Sequence, residues 1–169
     1  MPHVALSDCG VYARWLFDNP NCSNGMDLEV AAAHVPYAEL AQAFTAVTGK
    51  PAQYIDTTLD EYWTNGVFAK AAAAPAGYNS DLKDPAAMTI RQNFTGFWNM
   101  WKHSGGNKGV VQRDYVLLDE IFPGRIKSAE EWFRKEEERG GKGSLWERVQ
   151  PENLKPILKI AEDNRRGRL

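Results

Sequence analysis

The sequence is poor in the residues that build metal centres and disulfide frameworks. Its 169 residues include two cysteines and three histidines. Cys9 and Cys22 do not form a C-x-x-C pair, and no two histidines are four residues apart, so neither common zinc-ligand spacing occurs. We therefore expect no metal site. For the cysteines we expect two buried, reduced thiols in preference to a structural disulfide.

Long apolar runs and an excess of one charge are also missing. No run approaches the length that crosses a membrane, and residues 1–6 lack the basic and then apolar stretches of a secretion signal. With 20 basic and 22 acidic side chains the net charge is −2, whereas nucleic-acid-binding domains normally carry a basic face. We expect a soluble, cytoplasmic protein with neither a membrane nor a nucleic acid as its partner.

Aromatic side chains, by contrast, are abundant, with six Trp, six Tyr and seven Phe. The hydrophobic fraction of 43% and the charged fraction of 25% are ordinary for a globular protein. A chain of this length fits a single domain, 1–169, with one modest core. Large aromatic side chains fill such cores and also line pockets for flat or apolar ligands, so composition leaves both roles open.

Capping residues and apolar periodicity predict a mostly helical chain. The first helix is expected from the N-cap Asp8 to Asp18, and the second from Pro36 to Gly49. Capping boxes of the form Ser/Thr-x-x-Glu open further helices at Thr58, Ser128 and Ser144. Other helices are predicted over 70–74, 85–103, 114–122 and 154–161.

Two short segments, 26–30 and 52–55, have the composition and alternation of β-strands. Two strands are marginal by themselves. We therefore expect an α+β fold dominated by helices, in which the two strands are pieces of a sheet completed elsewhere or by another chain.

The predicted helix 85–103 carries the sharpest pattern in the chain, because one of its faces is almost wholly aromatic. A face of this kind must be covered by the core, by another chain or by a ligand. Arg91 and Asn93 precede the aromatic stripe and could orient a polar group. The candidate substrate-binding residues are Arg91, Asn93, Phe94, Phe97, Trp98 and Trp101.

Four residues are candidates for catalytic proton transfer: His34, His103, Asp114 and Tyr115. His34 precedes the predicted Pro36 helix, a common position for a pocket rim. His103 ends the aromatic helix, where a protonated imidazole also suits the helix dipole. Asp114 begins a predicted helix and also fits an N-cap. Asp119 and Glu120 are further acidic groups nearby in sequence, and structural roles stay open for all of these residues.

Several segments, taken in order, resemble one known family. They include Gly-Met-Asp-Leu-Glu-Val-Ala at 25–31, Arg-Gln-Asn-Phe-Thr-Gly-Phe-Trp at 91–98 and Arg-Asp-Tyr at 113–115. The chain resembles the NmrA-like family, a branch of the short-chain dehydrogenase superfamily. The likeness covers most of residues 4–139, and residues 140–169 would form a C-terminal loop and helices. The other matching segments are 5–8, 11–15, 18–20, 39–41, 48–50, 117–121, 123, 125–128 and 131–132.

The resemblance implies the substrate-side half of such a protein, without the Rossmann half that binds the dinucleotide. The sequence contains no G-x-G-x-x-G motif, which would cradle the pyrophosphate. None of the six tyrosines is followed four residues later by lysine, so the dehydrogenase pair Tyr-x-x-x-Lys is absent as well. We therefore expect no bound cofactor.

This lineage favours an enzyme of specialised, fungal-type metabolite biosynthesis that catalyses a redox-neutral step, such as a cyclisation, an isomerisation or a dehydration. Its ligand would be a hydrophobic or polyketide-like small molecule. A non-catalytic regulatory remnant of a redox sensor, or part of an NAD(P)-linked oxidoreductase, stays open as an alternative. Loss of the neighbouring half would expose an apolar flank, so we expect a homodimer or a higher oligomer.

Overall fold

The structure, a computed structural model, describes residues 1–66, 68–77, 83–140 and 143–153. The fold is α+β and mostly helical, as predicted, with two short antiparallel strands among these residues. The sequence suggested one domain, and the described residues group into two compact units. The first unit comprises 1–54 and 104–153, and the second comprises the described residues of 55–103.

The described residues of the first unit form both strands, six α-helices and a 3-10 turn (Gly106–Lys108). Strand β1 (Pro2–His3) pairs with β2 (Ala33–His34), so that Pro2 lies opposite His34. The helices are α1 (Leu6–Asp18), α2 (Pro20–Ser23), α3 (Tyr37–Thr48), α6 (Tyr115–Ile121), α7 (Ala129–Arg139) and α8 (Leu145–Arg148).

Neither segment that was predicted as a strand forms one. Residues 26–30 do alternate between half-buried and exposed, as their sequence indicates, but they pair with no other strand among the described residues. Residues 52–55 are exposed throughout. Alternation predicts which side chains turn inward, whereas a strand also needs a hydrogen-bonded neighbour, which local sequence does not specify.

Helix α1 begins at Leu6, so the prediction of Asp8 as its N-cap was wrong. Asp8 lies in the first turn and is buried, and its carboxylate accepts a hydrogen bond from the backbone N–H of Ile126 at 2.8 Å. One turn later, the buried Tyr12 donates its hydroxyl hydrogen to the carbonyl of Leu118 at 3.1 Å. These two bonds attach α1 to the segment that contains α6. The helix ends at Asp18, as predicted.

Helices α3 and α7 pack together around the main apolar core of this unit. Helix α3 follows Pro36 and ends at Gly49, whose φ of 67° is the left-handed conformation that favours glycine, as predicted. The rings of Phe44 and Phe133 meet edge to face at 5.5 Å. The buried members of the core are Val35, Ala43, Ala129, Phe133 and Leu145.

The predicted caps of α7 and α8 are present. Ser144 and Glu147 form a complete capping box. Ser128 caps α7 by accepting from the N–H of Glu131, while the Glu131 carboxylate accepts from the N–H of Lys127 and not from that of Ser128. Helix α7 ends at Arg139, before Gly140. The predicted helix 154–161 lies outside the described residues.

The second unit contains α4 (Leu59–Asn65), a 3-10 turn (Ala69–Ala71) and α5 (Ile90–His103). The capping box of Thr58 and Glu61 opens α4 as predicted. The helix predicted over 70–74 is reduced to the single 3-10 turn. Trp63 is buried, and its Nε1–H donates to the hydroxyl of Thr95 at 2.9 Å, which joins α4 to α5.

Helix α5 begins five residues later than predicted, at Ile90. The side-chain oxygen of Gln92 accepts from the N–H of Thr89, and the hydroxyl of Thr89 accepts from the N–H of Gln92. This is a capping box with glutamine at its fourth position. The Thr-x-x-Gln pattern is visible in the sequence, and it predicts the start of α5 more accurately than Pro85 does.

Candidate functional site

Two of the four catalytic candidates, His34 and Tyr115, meet in the first unit. His34 ends β2, and Tyr115 is the first residue of α6, 81 positions later. Nδ1 of His34 lies 2.7 Å from the phenolic oxygen of Tyr115, and the two rings meet edge to face at 5.9 Å. Both side chains are half-buried. A hydrogen-bonded imidazole and phenol form a pair through which a proton can move.

The second nitrogen of His34 determines which way this hydrogen bond runs. Nε2 lies 3.2 Å from the carbonyl oxygen of Val111, which can only accept a hydrogen bond. Nε2 of the neutral ring therefore carries the hydrogen, and Nδ1 is left as an acceptor. The hydroxyl of Tyr115 then donates to Nδ1, and its oxygen lone pairs are available to another partner.

Arg125 lies against the face of Tyr115. The centre of its guanidinium group is 5.1 Å from the centroid of the ring, a cation–π geometry. The side chain is only 5% exposed and is held by the Asp119 carboxylate at 2.9 Å. It also donates to backbone carbonyls of residues 31, 32 and 126. Asp119 in turn pairs with Lys127 at 2.8 Å.

A second arginine, Arg113, is fixed by the loop that precedes α6. The side chain of Asn107 accepts from the backbone N–H of Arg113 at 2.6 Å and donates to its carbonyl oxygen at 3.1 Å. The guanidinium group pairs with Glu29 at 2.9 Å. The loop is tightly packed, since a Cβ on Gly109 would lie 1.1 Å from the carbonyl oxygen of Ser104.

These surroundings move the two pKa values apart. Burial is the main cause that lowers the pKa of His34 below 6.5, and the positive charge of Arg113 acts in the same direction. Burial raises the pKa of Tyr115 above 10, while Arg125 and Arg113 oppose that rise. Both side chains are therefore neutral near pH 7. A neutral imidazole is the state that can accept a proton from the phenol.

The other two catalytic candidates lie elsewhere. Asp114 is the exposed N-cap of α6, and its carboxylate accepts from the N–H of Leu117 at 3.0 Å, which is the structural role that the sequence left open. His103 is exposed at the end of α5 and belongs to the second unit.

The six substrate-binding candidates all lie on α5. Four are the half-buried aromatic residues, whose rings contact one another and those of Tyr62 and Phe68. Arg91 is exposed and lies 3.8 Å from Asp60, and Asn93 is exposed. The aromatic stripe is thus partly covered within its own unit. Its members are Phe94, Phe97, Trp98 and Trp101.

Sequence reasoning did not identify Arg113, Arg125 and Asn107 as parts of the site. Arg113 could have been noticed, since it is two positions before Tyr115. Nothing in the local sequence indicates that Arg125 is buried, because its burial depends on carbonyl groups more than 90 positions away.

The described ranges contain no group of three His, Cys, Asp or Glu residues that could hold a metal ion. None of the helices in the same ranges is long and apolar enough to cross a membrane. Both cysteines carry free thiols, as expected, but Cys9 is half-buried and Cys22 is exposed. The expectation of two buried thiols was therefore wrong, because α1 and α2 turn these positions toward solvent.

Comparison with known proteins gives no independent guide to the site. No family model, no curated protein and no solved structure matches the chain, so its function has to be argued from its own residues.

Proposed function

We propose that the chain is an enzyme that binds a small hydrophobic molecule and catalyses a redox-neutral step, with Tyr115 and His34 as its proton relay. The step is an isomerisation, a cyclisation or a dehydration. The observation that carries this proposal is the 2.7 Å hydrogen bond between Nδ1 of His34 and the Tyr115 hydroxyl, with Nε2 held by a carbonyl group.

In the proposed step, the Tyr115 oxygen takes a proton from an acidic C–H or O–H bond of the substrate. The original phenolic proton moves at the same time to Nδ1 of His34. The imidazolium that forms is hydrogen-bonded at both nitrogens, to Tyr115 and to the carbonyl of Val111. Returning the proton to a different substrate atom completes the reaction, and no electrons are gained or lost.

Arg125 supports this relay through charge and position. A guanidinium group over the Tyr115 ring stabilises the negative charge that develops on the phenolic oxygen as the proton leaves. Its own side chain is held by Asp119 and by three carbonyl groups, so little rearrangement accompanies the step.

The lineage and the assembly are parts of the same proposal. The resemblance over 4–139 supports descent from the substrate-side half of an NmrA-like protein, working without a bound dinucleotide and as a homodimer. The aromatic candidates on α5 remain a prediction for ligand binding. They belong to the second unit and take no part in the proposed proton transfer.

The experiment measures proton exchange, which needs no knowledge of the final product. A panel of small aromatic ketones and 1,3-diketones, each with and without a carboxylate group, is followed by NMR in D2O with and without the full chain. The wild type should accelerate deuterium incorporation at acidic C–H positions. Tyr115→Phe and His34→Asn should each lose about 100-fold or more of that acceleration, the usual contribution of a positioned acid–base group.

Tyr37→Phe is the matched control, because it removes another half-buried phenolic hydroxyl of the first unit that bonds to Met1 and not to His34. Its exchange rates should equal those of the wild type. Equal rates in all four proteins would refute the relay. Tight binding of NADPH by the purified chain would refute the cofactor-free reaction and favour a reductase or a redox sensor.

A further inference from the structure

We infer that the ligand of this site is an anion, a small monocarboxylate, and that Arg113 binds it by exchanging Glu29 for the ligand's carboxylate. The inference rests on the proposed function, which places the reaction at His34 and Tyr115. It adds the chemical class of the ligand and the residue that selects it.

The cations around the pair differ in what they can still bind. Arg125 is only 5% exposed, and its Nε and Nη1 donate to Asp119 and to backbone carbonyl groups, so burial keeps a ligand away from its guanidinium group. Lys127 already pairs with the same carboxylate of Asp119. Arg113 is the remaining cationic side chain that acts on both His34 and Tyr115 among the described residues.

Arg113 uses only part of its guanidinium group. Nη1 donates to the carbonyl of Gln112 at 2.7 Å and pairs with one oxygen of Glu29. Nε is buried and has no hydrogen-bond partner within the described part of the chain. A guanidinium group presents five N–H donors and prefers two parallel bonds to a carboxylate. Glu29 provides a single close contact and leaves that preference unmet.

The two partners of this ion pair are held very differently. The Arg113 side chain is 15% exposed, and Asn107 fixes its backbone through two hydrogen bonds. The Glu29 side chain is 54% exposed and lies in a segment without helix or strand. Exposed carboxylates in ion pairs contribute little to stability. Glu29 can therefore leave without disturbing the loop, while Arg113 stays in place.

The position of Arg113 connects ligand binding with the relay. Tyr115 follows it by two residues, and the carbonyl that orients His34 belongs to Val111, two residues before it. A carboxylate on Arg113 therefore places the rest of the ligand beside the hydrogen-bonded pair. The groups that act on His34 are Tyr115, the Val111 carbonyl, the N-terminal ammonium group and the positive charge of Arg113.

The probe for this inference is benzoate, with benzamide as the neutral molecule of the same shape. Binding to the full chain is measured by calorimetry, and the imidazole signals of His34 are followed by NMR. Wild type should bind benzoate and not benzamide. Glu29→Gln should bind benzoate about two- to five-fold more tightly, because the competing carboxylate is gone. Arg113→Gln should lose about 10- to 100-fold of the affinity.

A second readout separates a binding role from a folding role. Bound benzoate should raise the pKa of His34, because it neutralises the nearby positive charge, and benzamide should not. Asp18→Asn, which breaks an exposed ion pair on α1, is the control and should leave the benzoate affinity unchanged.

Equal binding of benzoate and benzamide, or an unchanged affinity in Glu29→Gln, would overturn the inference. So would the absence of benzoate binding by both the wild type and Glu29→Gln. Because binding needs no turnover, a chain that binds benzoate but shows no proton exchange would sink the proposed relay and leave the anion site standing. A chain that shows proton exchange but binds no benzoate would sink the anion site and leave the relay standing.

Discussion

The imidazole of His34 has a pH dependence that follows from its surroundings. Its pKa in the folded chain lies below 6.5, chiefly because the ring is partly buried, with Arg113 acting in the same direction. The folded state therefore binds the proton less readily than the unfolded chain. Stability from this residue is present above pH 6.5 and is lost as the pH falls toward the lowered pKa.

An NMR titration of the imidazole signals checks this directly. The midpoint assigned to His34 should lie below 6.5, and proton exchange by the relay should decline only as the pH falls through that same midpoint. Burial also lowers the pKa of His3, so the His34→Asn variant is needed to assign the signals. A midpoint at or above 6.5 would contradict the burial of the ring.

Gly109 tests the packing of the loop that carries Arg113. Its φ of −96° is open to any residue, so the objection to a side chain is steric: a Cβ would overlap the backbone carbonyl of Ser104. Gly109→Ala should displace the loop, lower the melting temperature and reduce proton exchange. Gly10→Ala is the matched control, since Gly10 is an exposed position of helix α1 and a Cβ there meets nothing within 4 Å.

Gly10→Ala should stabilise the chain, whereas Gly109→Ala should destabilise it. Alanine in a helix interior is favoured over glycine by about 0.8–1 kcal/mol, so Gly10→Ala should raise the free energy of unfolding by roughly that amount. If both alanine variants were equally stable, the close approach of Gly109 to Ser104 would be wrong.

At the scale of the elements, α1 depends on its buried carboxylate. Asp8→Ala would leave the N–H of Ile126 buried without a partner, which costs about 1–3 kcal/mol of the free energy of unfolding. Asp18→Ala removes a carboxylate from the exposed end of the same helix, where the ion pair with Arg14 contributes about 0–1 kcal/mol. Urea denaturation of both variants measures the difference, and equal losses would show that Asp8 does not anchor α1.

The elements also show what a sequence can predict. The capping box at Thr58, the stop at Gly49 and the end of α1 were found because each depends on residues within one or two turns. The strands were placed wrongly, because the pairing of Pro2 with His34 joins residues 32 positions apart. Local pattern specifies neither the partner nor the register of such a pair.

At the scale of the molecule, the candidate site likewise contains residues that the sequence could identify and contacts that it could not. His34 and Tyr115 were identified separately by residue type and by their positions beside predicted helices, but their contact spans 81 positions. The cation against Tyr115 was not foreseen at all, since an arginine is ordinarily exposed. The burial of Arg125 depends on the carbonyl groups of the two residues before β2, and only the folded chain brings them together.

The two units should also differ in local stability. Eleven apolar residues are buried in the described ranges, and ten of them belong to the first unit, with Trp63 as the sole representative of the second. Helix α5 has no buried residue, although four aromatic side chains lie along it. Regions with few buried apolar contacts open more readily than well-buried ones.

Hydrogen exchange followed by mass spectrometry should show this difference. Peptides that cover 90–103 should exchange earlier than those that cover 37–48, which pack on α7 around Phe133. Trp63→Phe removes the hydrogen bond to Thr95 and should accelerate exchange in 59–65 and 90–103 without changing 37–48. Trp132→Phe, at a partly exposed position on α7, is the control and should leave 90–103 unchanged. Equal protection of α3 and α5 in the wild type would mean that buried apolar area does not set the order in which these helices open.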